Sequence, residues 1–131
     1  MARKVFVDTS AWIAFFDRTD DFHDRAIDFL KTKPHLVTSD VVLHECIAHL
    51  ENRISKEVAK SFAEAVLINN ICDIVFITYE QEMRSLKRYR KTRKKISFVD
   101  VTNQVIAEEL GLKEIFAFDR DFKNLGLKLV P

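Results

Sequence analysis

The sequence predicts a three-layer α/β/α domain with a mostly parallel central sheet, on three observations. First, short apolar runs ("VFV", "HLVTS", "CDIVFIT", "EIFAF", "LKLV") alternate with longer segments of helical periodicity. That is the order in which each strand is followed by a helix crossing back over the sheet. Second, the opening run reads as a strand buried on both faces, as strands of parallel sheets are. Third, the apolar runs at 5–7 and 115–118 each stop on an aspartate, Asp8 and Asp119. In open parallel sheets functional groups collect where strand carboxyl ends meet helix starts. If those two strands are neighbours, both carboxylates face one crevice.

The elements follow in order. "TSAWIAFF" can form a helix directly after Asp8. "DDFHDRAIDFLK" places Phe22, Ala26, Phe29 and Leu30 at helical spacing, and Pro34 marks its end. After the strand "HLVTS", Ser39 sits at an N-cap position ahead of "DVVLHECIAHLENRI", where Leu43, Ile47, Leu50 and Ile54 form one apolar stripe. Ser55 caps "SKEVAKSFAEAVLINN", with Val58, Phe62 and Val66 along one side. "CDIVFIT" is a third strand, rich in β-branched residues. A helix starting near Thr78 runs into a basic block. "SFVDVTNQVIAEELG" is the last long helix, and Gly111 suits its left-handed C-cap. "EIFAF" gives a fourth strand and "LKLV" a fifth.

Composition bounds the function. A chain of 131 residues with 47% apolar and 31% charged side chains fits one globular domain, residues 1–131, able to bury its own core. Two prolines and two glycines leave no room for long flexible linkers. Cys46 and Cys72 are far apart with no CxxC pair, which argues against a zinc site and suits small buried hydrophobes in a reducing compartment. No stretch reads as a signal peptide, and no apolar run approaches the roughly 20 residues of a membrane helix, so a cytoplasmic protein is expected. The segment "RSLKRYRKTRKK", 84–95, holds eight of the 21 basic residues and none of the 20 acidic ones. The rest of the chain is therefore net acidic, and two different binding surfaces are expected.

Four motifs in order resemble those of the PIN-domain ribonucleases, and within them the VapC-type toxins of prokaryotic toxin–antitoxin pairs: "VFVDTSAWIAFFD", "TSDVVLHECIAHL", "ISFVDVTNQVIAEELG" and "IFAFDRDF". Each motif is short, but together they span nearly the whole chain. The resemblance implies an acidic catalytic site of Asp8, Glu45, Asp100 and Asp119, in which Asp8, Asp100 and Asp119 hold a metal ion and Glu45 completes its shell or accepts a proton from the attacking water. Asp121 is similar to an additional acidic ligand of some members, and Thr9 or Ser10 to a supporting hydroxyl. Many relatives carry Thr or Ser two residues before the last aspartate, where this chain has Ala117. The resemblance further implies hydrolysis of RNA with Mg²⁺ or Mn²⁺, products with 5′-phosphate and 3′-hydroxyl ends, silencing by an antitoxin, and pairing into homodimers.

The chemistry is coherent without the family. Hard divalent cations prefer oxygen ligands, and Mg²⁺ commonly keeps several waters beside a few carboxylates. Carboxylates brought together without a cation repel, so at least one should have a raised pKa. A bound ion relieves that repulsion and activates water against a phosphodiester.

Plainer readings stand beside these. Asp8 equally fits the N-cap of its helix, and Asp100 lies where a helix dipole favours any carboxylate. Glu45 falls on the solvent side of the helical wheel, so its role rests mainly on the resemblance. Asp17, Asp20, Asp21, Asp24 and Asp28 read as a solvated helix start and face, and His23 as a packing residue. Arg84, Lys87, Arg88, Lys91 and Lys95 fall at helical spacing; a solvated helix end, an RNA-binding surface and contact with an acidic partner segment all remain open. A non-catalytic RNA-binding module of the same fold is the competing function. An aspartate-based phosphatase is disfavoured because Asp8-Thr9-Ser10 lacks the DxD pair.

Overall fold

The computed structural model describes residues 3–93, 95–119 and 126–131. Five strands form one all-parallel sheet: β1 (Lys4–Val7), β2 (His35–Ser39), β3 (Asp73–Val75), β4 (Glu114–Phe116) and β5 (Lys128–Val130), in the order β3-β2-β1-β4-β5. Six helices connect them among the described residues: α1 (Thr9–Phe16), α2 (His23–Leu30), α3 (Asp40–Arg53), α4 (Lys56–Leu67), α5 (Tyr79–Tyr89) and α6 (Phe98–Glu109).

Successive strand side chains point to opposite faces, yet Val5, Phe6 and Val7 are all fully buried. Helices therefore cover both faces of the sheet, the predicted three-layer α/β/α arrangement. Trp12 of α1 packs on Phe62 of α4 at a ring separation of 5.4 Å. Phe29 of α2 packs on Phe116 of β4 at 4.5 Å. Burying an aromatic side chain in this way contributes on the order of 1.5–3 kcal/mol. The buried indole Nε1 of Trp12 donates to Thr38 Oγ1 at 3.2 Å, and that hydroxyl donates to the carbonyl of Val7 at 3.1 Å. This chain of bonds ties α1 and β2 to the residue just before Asp8.

Most predicted boundaries hold, including the Ser39 and Ser55 caps, which accept from Val42 N and Val58 N. Gly111 takes a φ of +70° just beyond α6, as a left-handed cap requires. His23 packs α2 against α1 by hydrogen bonding through Nδ1 to the Ala14 carbonyl. Three expectations are corrected. β3 stops at Val75 because its partner β2 ends at Ser39, which faces Val75. β4 stops at Phe116 because its partner β1 turns into α1 after Asp8, whose N–H bonds the Phe116 carbonyl. The helix entering the basic block ends at Tyr89, so Lys91 and Lys95 lie beyond it and share no helical face with Arg84 and Arg88.

Candidate active site

β1 and β4 are adjacent, which places the aspartates following them at one end of the sheet. Asp8 is the N-cap of α1 and is only 5% exposed. Its Oδ2 accepts from Ser10 N at 3.1 Å and from Ser10 Oγ at 2.7 Å, and its Oδ1 accepts from Asn103 Nδ2 at 3.1 Å. Ser10 Oγ also accepts from the Phe118 N–H at 3.0 Å. One hydroxyl thus joins Asp8 to the segment that carries Asp119. Ala117 is buried and offers no hydroxyl, so this link runs through Ser10.

Thr9 points the other way and donates from Oγ1 to Glu45 Oε1 at 2.6 Å. Glu45 is exposed, as the helical wheel indicated, but that side of α3 faces Thr9 rather than open solvent alone. Asp100, at the third position of α6, forms a capping box with Ser97: its Oδ2 accepts from Ser97 N, and its N–H donates to Ser97 Oγ, each at 3.1 Å. The plainer capping readings of Asp8 and Asp100 are therefore real structural roles, and they fix both carboxylates in place.

Electrostatics connects the four. Burial pushes the Asp8 carboxyl up to about 7, opposed by the Ser10 hydrogen bonds and reinforced by the charge of Asp100. Burial also raises Asp100, opposed by Ser97 and reinforced by Asp119 and Glu45. The charges of Asp119 and Glu45 thus act on Asp100, and that of Asp100 acts on Asp8. Asp121 lies outside the described residues.

Among the described residues no three His, Cys, Asp or Glu side chains close into a ready-made metal cage. The donor set nonetheless fits a hard dication that keeps its own waters. It is all oxygen, it is anionic and mutually repelling, and each fixed carboxylate has capacity left. Ser10, Ser97 and Thr9 engage Asp8 Oδ2, Asp100 Oδ2 and Glu45 Oε1, while Asp100 Oδ1 and Glu45 Oε2 accept no hydrogen bond among the described residues.

The basic block divides. Arg84 Nε pairs with Glu109 of α6 at 2.7 Å, and Arg88 Nη1 with Glu108 at 3.0 Å. Tyr89 packs on Phe98 at 5.3 Å. These contacts hold α5 against the helix that carries Asp100. Lys87, Lys91 and Lys95 are exposed. Lys87 and Arg90 border an open groove of about 440 Å³ with Met83 and Leu86. Reading the sequence passed over Asn103. Its signal was an amide amid the buried residues Val101, Thr102, Val105 and Ile106, one turn after Asp100.

Fold and site define a class: α/β domains that gather carboxylates at the carboxyl end of a parallel sheet. The PIN domain family model matches residues 5–128. VapC20 proteins from two strains of Mycobacterium tuberculosis, 23S rRNA-specific endonucleases, are each 31% identical over 124 residues, 93% of this chain and 94% of theirs. The crystal structure of Mycobacterium tuberculosis VapC20, a sarcin–ricin loop cleaving toxin, superposes with a TM-score of 0.89 at 28% identity, over 94% of this chain and 95% of that one. A chain of Rickettsia felis VapBC2, crystallised with a DNA fragment from its promoter, shares the fold with a TM-score of 0.70 at 15% identity, covering 97% of both chains. The chain belongs to the PIN domain family.

Proposed function

We propose that this protein is an endoribonuclease, the toxin of a type II toxin–antitoxin pair, and that it hydrolyses RNA phosphodiesters with the help of Mg²⁺ or Mn²⁺. The reading is carried by the adjacency of β1 and β4, with Ser10 joining Asp8 to the segment of Asp119 and Thr9 joining Glu45 to the same end of α1, in a family that includes RNA-cleaving toxins. Asp8, Asp100 and Asp119 would hold the ion. When bound, it supplies a water of lowered pKa and neutralises charge that builds up on the phosphate. Thr9 holds Glu45 by one oxygen and leaves the other to accept a proton from the attacking water. Ser10 keeps Asp8 and the Asp119 segment in register.

Lys87, Lys91 and Lys95 would meet RNA phosphates, while Arg84 and Arg88 hold α5 on α6. A cognate antitoxin would silence the site. Self-association into a homodimer is supported by apolar side chains left open next to β3, where Phe76 is 63% and Tyr79 is 73% exposed. No helix among the described residues is long and apolar enough to cross a membrane, and the cytoplasm, where the RNA lies, is the proposed compartment.

The test incubates the purified chain with a synthetic sarcin–ricin loop and with unrelated RNAs, adding Mg²⁺, Mn²⁺ or chelator, and maps the product ends. Metal-dependent cleavage leaving 5′-phosphate and 3′-hydroxyl ends is expected. A cyclic phosphate would contradict the mechanism. Tight RNA binding without cleavage under either ion would favour the non-catalytic module.

A further inference from the structure

Asn103 follows Asp100 by three residues on α6, so both side chains leave the helix on one face. It is fully buried. Its Nδ2 donates to Asp8 Oδ1 at 3.1 Å, and its own Oδ1 is buried with no hydrogen-bond partner among the described residues. A leucine here would pack without leaving an acceptor unpaired, so packing alone does not explain an amide. The amide nitrogen faces Asp8, the orientation an ionised carboxylate accepts.

The bonds on Asp8 are unevenly shared. Ser10 N and Ser10 Oγ both donate to Oδ2 and use its two lone pairs. Among the described residues Oδ1 accepts a hydrogen bond from Asn103 alone, which leaves it one lone pair. We propose that Asn103 is a positioning residue for metal binding: it pins Asp8 so that Oδ1, and only that oxygen, is presented to the ion. The inference rests on the metal-dependent reading above. It makes Asp8 a single-oxygen ligand whose plane is fixed from two sides, by α1 through Ser10 and by α6 through Asn103. Such outer partners hold first ligands in orientation, and their loss commonly weakens metal affinity 10–100-fold.

The test measures Mn²⁺ affinity of the full chain from the free-ion paramagnetic resonance signal, for wild type, Asn103→Leu and Asn103→Ala. Circular dichroism and metal-free melting are recorded on the same samples. Both variants should keep the wild-type fold and bind Mn²⁺ about 10-fold or more weakly. Wild-type affinity in folded variants would overturn the role of Asn103 and leave the metal site standing. A wild-type chain that binds no Mn²⁺ would overturn both readings. If the leucine variant does not fold, the alanine variant carries the comparison. Loss of the fold in both assigns Asn103 to the core and overturns the proposal.

Discussion

Burial pushes the Asp8 carboxyl up to about 7 against the two hydrogen bonds from Ser10. An unfolded aspartate titrates near about 3.9, so between those values the folded chain binds more protons than the unfolded one. The sign follows: the metal-free fold is most stable below the lower value and loses stability as pH rises towards the upper one. Asp100, also raised, works in the same direction. The metal-free melting temperature should therefore fall between about pH 5 and about pH 8, and Mg²⁺ or Mn²⁺ should restore more of it at the higher pH. A flat profile would contradict the burial of an ionisable Asp8. Asp100→Asn should lower cleavage by roughly 100-fold or more through loss of a ligand, while the metal-free melting temperature holds or rises because repulsion is relieved. Melting of both forms alongside the cleavage rate checks this, and a marked fall in melting temperature would mean the Ser97 capping box dominates. At this scale the sequence was legible where a residue type is unusual for its position, such as a carboxylate at a strand end. Asn103 escaped because an amide within a helix has many uses, and only its contact with Asp8 selects one.

Among the elements, α5 departs furthest from its periodicity. Helical spacing placed Arg84, Lys87, Arg88, Lys91 and Lys95 on one face, but the helix needs apolar contact to continue, and Tyr89 against Phe98 is its last. Beyond it Arg90, Lys91, Arg93, Lys94 and Lys95 follow with only Thr92 between them, and like charges repel at helical spacing. The arginines then pair with Glu108 and Glu109 of α6, acidic residues distant in sequence that no local pattern ties to α5. The division gives an expected contrast. Changing Lys87, Lys91 and Lys95 to glutamate should weaken RNA binding and lower the salt slope by about 0.7 for each lost phosphate contact to single-stranded RNA. Changing Arg84 and Arg88 to alanine should leave that slope nearly intact and lower the melting temperature only slightly, because exposed pairs contribute little. RNA affinities across a salt series, with melting curves, separate the two sets; an unchanged slope in the lysine variant would remove the block from RNA binding. The strands β3 and β4 were read too long for a related reason. Apolar runs show where a strand can form, but the end of the neighbouring strand decides where pairing stops.

The whole molecule turns these local features into a site through topology. The order β3-β2-β1-β4-β5 sets side by side the two strands that Asp8 and Asp119 follow, a fact no single segment of the sequence contains. Alternation of apolar runs and helices was enough to predict the layers, and the order of motifs pointed to the family; adjacency and electrostatic coupling needed the fold. On the proposed reading, folding confines like charges in one crevice, with an electrostatic penalty that a divalent ion would remove. A crystal of the chain soaked in Mn²⁺ and measured at the manganese absorption edge tests that claim most directly. An anomalous peak bounded by oxygens of Asp8, Asp100 and Asp119, with Glu45 beside it, is the predicted result. A fully soaked crystal with no peak in that crevice, or with manganese bound only elsewhere, would contradict it.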